Sequence, residues 1–189
     1  MLMKLLVLSD THLQNELFKK ITDKYPNMDY YVHCGDSSLE KEDPLLNKYY
    51  VVKGNHDNAN FPLEIRFAAG NYHCLIVHGH YYDVYRGDQT LYDYMVDNNI
   101  DICFHGHTHV PSLSIINSKY IINPGSVMIN RGSYGFGTYA IVTLDDHGVN
   151  VAYYNHETHE ECTELVLNDG KIYLEEFKQL LDNYQTKNK

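Results

Sequence analysis

Leu2-Met3-Lys4-Leu5-Leu6-Val7-Leu8 runs straight into Ser9-Asp10-Thr11-His12. A nearly unbroken aliphatic run of this length reads as a strand buried on both faces, and the polar cluster marks where the chain leaves the sheet. Leu13, Leu17, Phe18, Ile21 and Tyr25 then fall on one helical face, and Pro26 stops that helix before a second strand at 30–33. A shorter helical stretch at 39–46 leads to a third strand at 49–52, closed by Gly54. Alternation of this kind predicts a parallel sheet with right-handed crossovers.

Further along, apolar runs at 75–77 and 102–104 flank a helix carrying Leu91, Met95 and Val96 on one side. The second half changes character, with short strands predicted at 113–116, 120–122, 139–144, 149–154 and 163–167 and a hairpin at 146–148. These are expected to pair largely antiparallel. Tyr173, Leu174, Phe177, Leu181 and Tyr184 recur at helical spacings and predict a final packing helix, frayed from about residue 185. No repeat, linker or low-complexity tract interrupts the 189 residues, so one domain spanning 1–189 is expected, its β-rich portions stacked as two sheets with helices outside.

The composition narrows the function. Fifteen Lys and Arg against twenty-five Asp and Glu give a net charge of −10, the wrong sign for gripping a polyanion by neutralising its phosphates, so polymeric nucleic acid is not an expected partner. Cys34, Cys74, Cys103 and Cys162 are widely spaced and form no CxxC pair, which predicts reduced core thiols. No run resembles a signal peptide or a membrane span, so a soluble cytoplasmic chain is expected. The abnormal number is twelve histidines, because neutral imidazole is the commonest metal ligand.

Five clusters of hard oxygen or imidazole donors follow apolar runs: Asp10-Thr11-His12, Gly35-Asp36, Gly54-Asn55-His56-Asp57, His78-Gly79-His80 and Gly106-His107-Thr108-His109. Ligands of open α/β sheets bind at the carboxyl ends of strands, so these clusters can meet in one crevice. Asp10 with His12, and His107 with His109, stand two apart, a spacing that turns both side chains the same way in an extended segment. The neighbouring glycines allow tight turns without a side chain crowding what is bound. Two carboxylates, one amide oxygen and four imidazoles suit Mn²⁺, Fe, Zn²⁺ or other divalent ions. Seven donors exceed one ion's needs, and Asp36, with two oxygens, could serve two ions at once.

In order and content these clusters resemble the pattern DxH, GD, GNH[DE], H and GHxH of the calcineurin-like metallophosphoesterase superfamily. The length, the absence of a cap domain and the stretch Asn123-Pro124-Gly125-Ser126 with Arg131 look like its small bacterial and archaeal phosphodiesterase branch. The resemblance implies an α/β fold, a four-layer α/β/β/α sandwich of two stacked mixed sheets. It implies a first ion on Asp10, His12, Asp36 and His109, and a second on Asp36, Asn55, His78 and His107. Mn²⁺ is the first expectation, with Ni²⁺, Fe, Zn²⁺ and Mg²⁺ compatible. His56 would be catalytic, protonating the leaving oxygen while a metal-bridging hydroxide attacks phosphorus. A small phosphodiester is the implied substrate. The alternatives are a phosphomonoesterase or nuclease of the same superfamily, or a protein-interaction scaffold like the retromer subunit with this fold.

Other residues stay open at this level. Asp57 would orient His56 or cap a helix; His80 could support the ligands or touch substrate; Arg131 could bind a phosphate oxygen or lie exposed in the loop 131–137. His33, His73, His105, His147, His156 and His159 are read mainly as hydrogen-bonded structural residues. Tyr81, Tyr82 and Tyr85 offer a stacking wall, although packing explains most of eighteen tyrosines. Exposed tyrosines leave a homo-oligomer open.

Overall fold

A computed structural model describes residues 2–187. The elements run β1 (Met3–Leu8), α1 (Asn15–Lys24), β2 (Tyr30–His33), a 3₁₀ turn (Pro44–Leu46), β3 (Tyr49–Val51), β4 (Glu64–Ala69), β5 (Tyr72–Val77), α2 (Gln89–Asp97), β6 (Ile102–Phe104), β7 (Ser112–Ile116), β8 (Lys119–Asn123), β9 (Thr138–Asp145), β10 (Gly148–Asn155) and α3 (Thr163–Lys187). Two five-stranded mixed sheets result, ordered β10-β9-β1-β2-β3 and β4-β5-β6-β8-β7.

β1 lies at the centre of the first sheet, parallel to β2 and antiparallel to β9, and its Leu5–Leu8 side chains are fully buried. Alternation then divides them between two cores. Leu5 and Val7 face the second sheet, among Cys74, Ile76, Ile102, Phe104 and Ile122. Leu6 and Leu8 face outward under Phe18 and Ile21 of α1. On the far side, Leu91 and Met95 of α2 cover Leu75, Val77, Cys103 and Ile121. The order is therefore helix, sheet, sheet, helix, as the sequence predicts.

Several details differ. Sheet membership does not follow the halves of the chain: the β9–β10 hairpin, with its two-residue turn at Asp146 and His147, returns to pair with β1, and β8 joins β6 in parallel. Residues 163–167 open α3 rather than forming a strand; Val166, Gly170, Tyr173 and Phe177 continue one helical stripe back two turns from the predicted tail helix. Glu64–Ala69 is an edge strand the pattern did not announce, paired antiparallel with β5. The stretch 39–46 is helical only at its 3₁₀ turn, where Asp43 caps the Leu45 N–H at 2.9 Å. Leu13 and Val96, assigned to helical faces, are exposed. α3 runs to Lys187 within the predicted frayed end, and residues 188 and 189 lie outside the described residues.

α3 packs on β7 and β10, the edge strands of the two sheets, and inserts Val166 into the core between them. All four cysteines are free, and three are buried. Among the described residues no helix is long and apolar enough to cross a membrane.

Candidate metal centre

β1, β2 and β3 of one sheet and β5 and β6 of the other end at the same crevice, and each is followed by one of the donor clusters. The backbone there is not extended. Asp10, His12, Asp36, His107 and His109 take φ between 41° and 70°, a left-handed conformation costly for residues with a Cβ. The two-residue spacing therefore brings Asp10 and His12 together through tight turns, which corrects the extended geometry expected from the sequence.

Two groups of donors form. Asp10, His12 and His109 make the first: Asp10 Oδ1 lies 3.2 Å from His109 Nε2 and 3.9 Å from His12 Nε2, and the two imidazole Nε2 atoms are 3.3 Å apart. Asp10, Asp36 and His78 make the second, with Asp36 Oδ2 at 3.3 Å from His78 Nε2 and Asn55 Oδ1 at 3.1 Å from the same nitrogen. Both carboxylates lie between the groups, since Asp10 Oδ1 is also 4.0 Å from His78 and Asp36 Oδ2 is 3.9 Å from His12. His107 stands beside the second group, its ring centre 5.2 Å from that of His78.

Hydrogen bonds already fix the other edge of these groups. Asp10 Oδ2 accepts from Ser9 Oγ at 2.5 Å and the His107 N–H at 3.1 Å, and Asp36 Oδ1 accepts from the His56 N–H at 2.8 Å. His78 Nδ1–H donates to the Cys34 carbonyl at 2.7 Å, which turns Nε2 into the crevice as the nitrogen that could ligate a metal on losing its proton. Among the described residues Asp10 Oδ1 is buried with no hydrogen-bond donor. A bare buried carboxylate oxygen facing imidazole nitrogens is expensive unless a cation meets it, so the donor set fits divalent ions.

The electrostatics carry the same mark. Burial raises the Asp10 carboxyl, but the His109 imidazole 3.2 Å away and the charge of His78 outweigh it and hold the group far below the carboxylate range. Burial lowers His78, yet Asp36 and Asp10 pull it up to about 9, so a proton stands where a cation would neutralise the carboxylates. Burial, then the charge of His78, pushes His107 down to about 4.

Asp57 neither orients His56 nor caps a helix. Its Oδ2 accepts the N–H groups of Asp36 and Gly54 at 2.8 Å each, and its Oδ1 accepts the Ser38 N–H at 2.8 Å, which locks the β2 and β3 loops together. The glycines serve the same packing. A Cβ on Gly54 would strike Asp36 Oδ1, and one on Gly106 would strike Ser9 Oγ, so their absence of side chain makes room for the carboxylates rather than for a ligand. His56 is exposed at the mouth, its ring 5.6 Å from His12. The His80 ring packs tilted against Tyr81, centres 4.0 Å apart, and lies 5.4 Å from the His78 ring. Arg131 is exposed, its guanidinium 5.6 Å above the Tyr85 ring, and its N–H donates to the His109 carbonyl at 2.8 Å.

Three supports were given no role by the sequence, although Asn123 and Ser126 stand in the 123–126 stretch that carries the family resemblance. Ser9 holds Asp10; Ser126 Oγ donates to the Asp10 carbonyl at 2.8 Å; and Asn123 Nδ2 donates to Gly106 O and Thr108 Oγ1, both at 3.0 Å. His33 is structural, as read from the sequence. It accepts the Gly35 N–H at Nδ1 and donates from Nε2 to Thr11 Oγ1, joining the first two donor loops.

Residues 3–147 match the model of the calcineurin-like phosphoesterase superfamily domain. A probable metallophosphoesterase of Bacillus subtilis, YsnB, is 33% identical over 160 residues, covering 84% of this chain and 94% of that one. A crystal structure of a predicted phosphoesterase from Streptococcus pneumoniae superposes with a TM-score of 0.81 at 31% identity, over 86% of this chain and 94% of that one. Two structures share the fold at lower identity. Vacuolar protein sorting 29 from Cryptosporidium parvum gives 0.68 at 19%, covering 85% of this chain and 95% of that one. An archaeal phosphodiesterase gives 0.62 at 22%, covering 81% and 99%.

Proposed function

Because this chain belongs to the calcineurin-like phosphoesterase superfamily, we propose that it is a metal-dependent phosphodiesterase with two divalent ions, hydrolysing small phosphodiesters. The observation that carries the reading is the pair of carboxylates lying between two imidazole groups, one of their oxygens buried without a donor. Asp10, His12, Asp36 and His109 would hold one ion, and Asp36, Asn55, His78 and His107 the other. Bound there, the ions would polarise phosphoryl oxygens and bring a water's pKa toward neutrality, Mn²⁺ being the first metal to test.

The chain's own residues do the rest. Asp57 and Ser126 hold the ligand loops in register, and His78 is aimed by the Cys34 carbonyl. His56, exposed at the mouth with its backbone tied to Asp36, offers its imidazole to protonate the leaving oxygen. Its presence favours an enzyme over the scaffold reading that the Vps29 likeness raises. The free thiols favour a reducing compartment, the cytoplasm.

The test combines metal analysis with turnover. His56→Ala should keep two ions per chain and lose roughly 10² to 10⁴ in kcat on bis(p-nitrophenyl) phosphate, and more on an alkyl ester with its poorer leaving group. Asp36→Asn should lose metal and activity together, because one neutral amide oxygen replaces two anionic ones. Wild-type turnover in the His56 variant on both esters, or two tightly held ions in the Asp36 variant, sinks the assignment.

A further inference from the structure

In the loop after β6, His107 and His109 take φ of 70° and 56°. Neither is glycine, so each left-handed conformation costs free energy and persists only where the surroundings over-determine it. Among the described residues the carbonyl of each accepts a hydrogen bond from outside the loop. The Tyr85 hydroxyl donates to His107 O at 3.2 Å, and the Arg131 N–H donates to His109 O at 2.8 Å.

Both donors are in turn held by α3. Phe177 packs on the Tyr85 ring, centres 4.9 Å apart, with Tyr173 stacked behind it at 6.3 Å, and Arg86, next in the chain to Tyr85, pairs with Asp182 at 2.5 Å. Asp169 accepts the Ser133 N–H at 3.1 Å and the Ser133 hydroxyl at 2.5 Å, two residues beyond Arg131. Gly132 leaves room for that carboxylate, because a Cβ there would strike Asp169 Oδ2. The Arg131 guanidinium lies 5.6 Å above the Tyr85 ring, so the two arms also touch each other. α3 itself is seated separately, by Val166 in the core and by Gly170 against Pro111, and reaches both loops from that fixed support. The superfamily match ends at residue 147 and α3 begins at Thr163, so the support lies outside it.

We propose that α3 braces the metal centre: Phe177, acting through Tyr85, and Asp169, acting through the 131–133 turn, are positioning residues that hold His107 and His109 in the conformation that ligates. The inference rests on the reading of the crevice as a two-ion centre. Removing a brace leaves every ligand atom present but lets the strained loop relax, and metal binding must then restore the left-handed turn before it gains its contacts. Affinity for the ion falls while the fold, seated elsewhere, remains. The Tyr85 arm acts on the ion assigned to His107, and the Asp169 arm on the ion assigned to His109.

The test is calorimetric titration of Mn²⁺ into the full chain after chelation, with His107→Ala and His109→Ala identifying which binding step belongs to which ion. Tyr85→Phe removes only the hydroxyl and should weaken the His107 step by about fivefold, the worth of one ordinary hydrogen bond. Phe177→Ala should weaken the same step by roughly tenfold or more, as loss of a ligand's outer support does, and Phe177→Tyr, which keeps the ring, should restore it. Asp169→Ala should weaken the His109 step instead. The Tm of chelated Tyr85→Phe should equal that of chelated wild type, which separates positioning from a merely structural role. Wild-type affinity in both Tyr85→Phe and Phe177→Ala, or affinity losses that only follow a lowered Tm of the chelated protein, overturns the brace and leaves the metal centre standing. A wild-type chain that binds no Mn²⁺ overturns the metal reading itself, and the brace with it.

Discussion

His33 shows how a residue outside the ligand set governs the crevice. It is completely buried, accepts the Gly35 N–H and donates to Thr11, and burial pushes its pKa down to about 4. The unfolded chain takes up this proton as the pH falls below about 6.5, while the folded protein refuses it until about 4. Stability from this group is therefore complete above 6.5 and is lost on acidification toward 4, by about 3 kcal/mol. Urea unfolding of chelated protein at pH 7.5 and 4 should show that loss, and His33→Gln should remove it from the difference; an identical pH slope in both proteins refutes the role. His78 works in the opposite direction, since its raised pKa of about 9 means that metal uptake at neutral pH must expel a proton. Affinity for Mn²⁺ should rise by up to tenfold per pH unit between 6.5 and 8.5 in competition with a chromophoric chelator. A pH-independent affinity would show that His78 is not displaced from its proton by metal.

At the scale of elements, α3 is what the sequence pattern described least well. Gly170 interrupts its apolar stripe, which hides the first two turns from periodicity, yet the glycine is there for contact: a Cβ would stand 2.6 Å from the Pro111 carbonyl oxygen and 3.0 Å from Val110 Cγ1. Ala in place of Gly normally stabilises a helix interior by about 1 kcal/mol. Here the obstacle is backbone that cannot swing aside, so Gly170→Ala should instead lower stability, by about 1–3 kcal/mol as for overpacked cores. Thermal unfolding decides the sign, and a higher Tm in the variant refutes the close approach. The loops tell the same story in reverse. Each donor cluster was legible because a hydrophobic run ends in it, whereas the clamp of Asp57 across two loops has no periodic signal and is seen only when β2 and β3 lie side by side.

For the whole molecule, charge and layering decide what can approach the crevice. A net charge of −10 leaves the proposed ions as the attraction for phosphate, with no basic stripe to track a long backbone. Hydrolysis of small diesters should therefore exceed cleavage of single- or double-stranded DNA. Efficient, salt-sensitive degradation of long DNA would move the assignment to a nuclease.

The sequence by itself determined the class of fold, the order of strands through β3, and the positions of the candidate donor clusters at strand ends, because these are written in local hydrophobic runs and short motifs. The return of β9 and β10 to β1, the passage of α3 across both sheet edges, and the left-handed turns at Asp10 and Asp36 were decided only in three dimensions. The reason is separation along the chain. Ser126 holds Asp10 across 116 positions, and His107 reaches it across 97. Contacts of that span have no period to read, and arise only once two sheets bury their facing sides and bring their loops to one end.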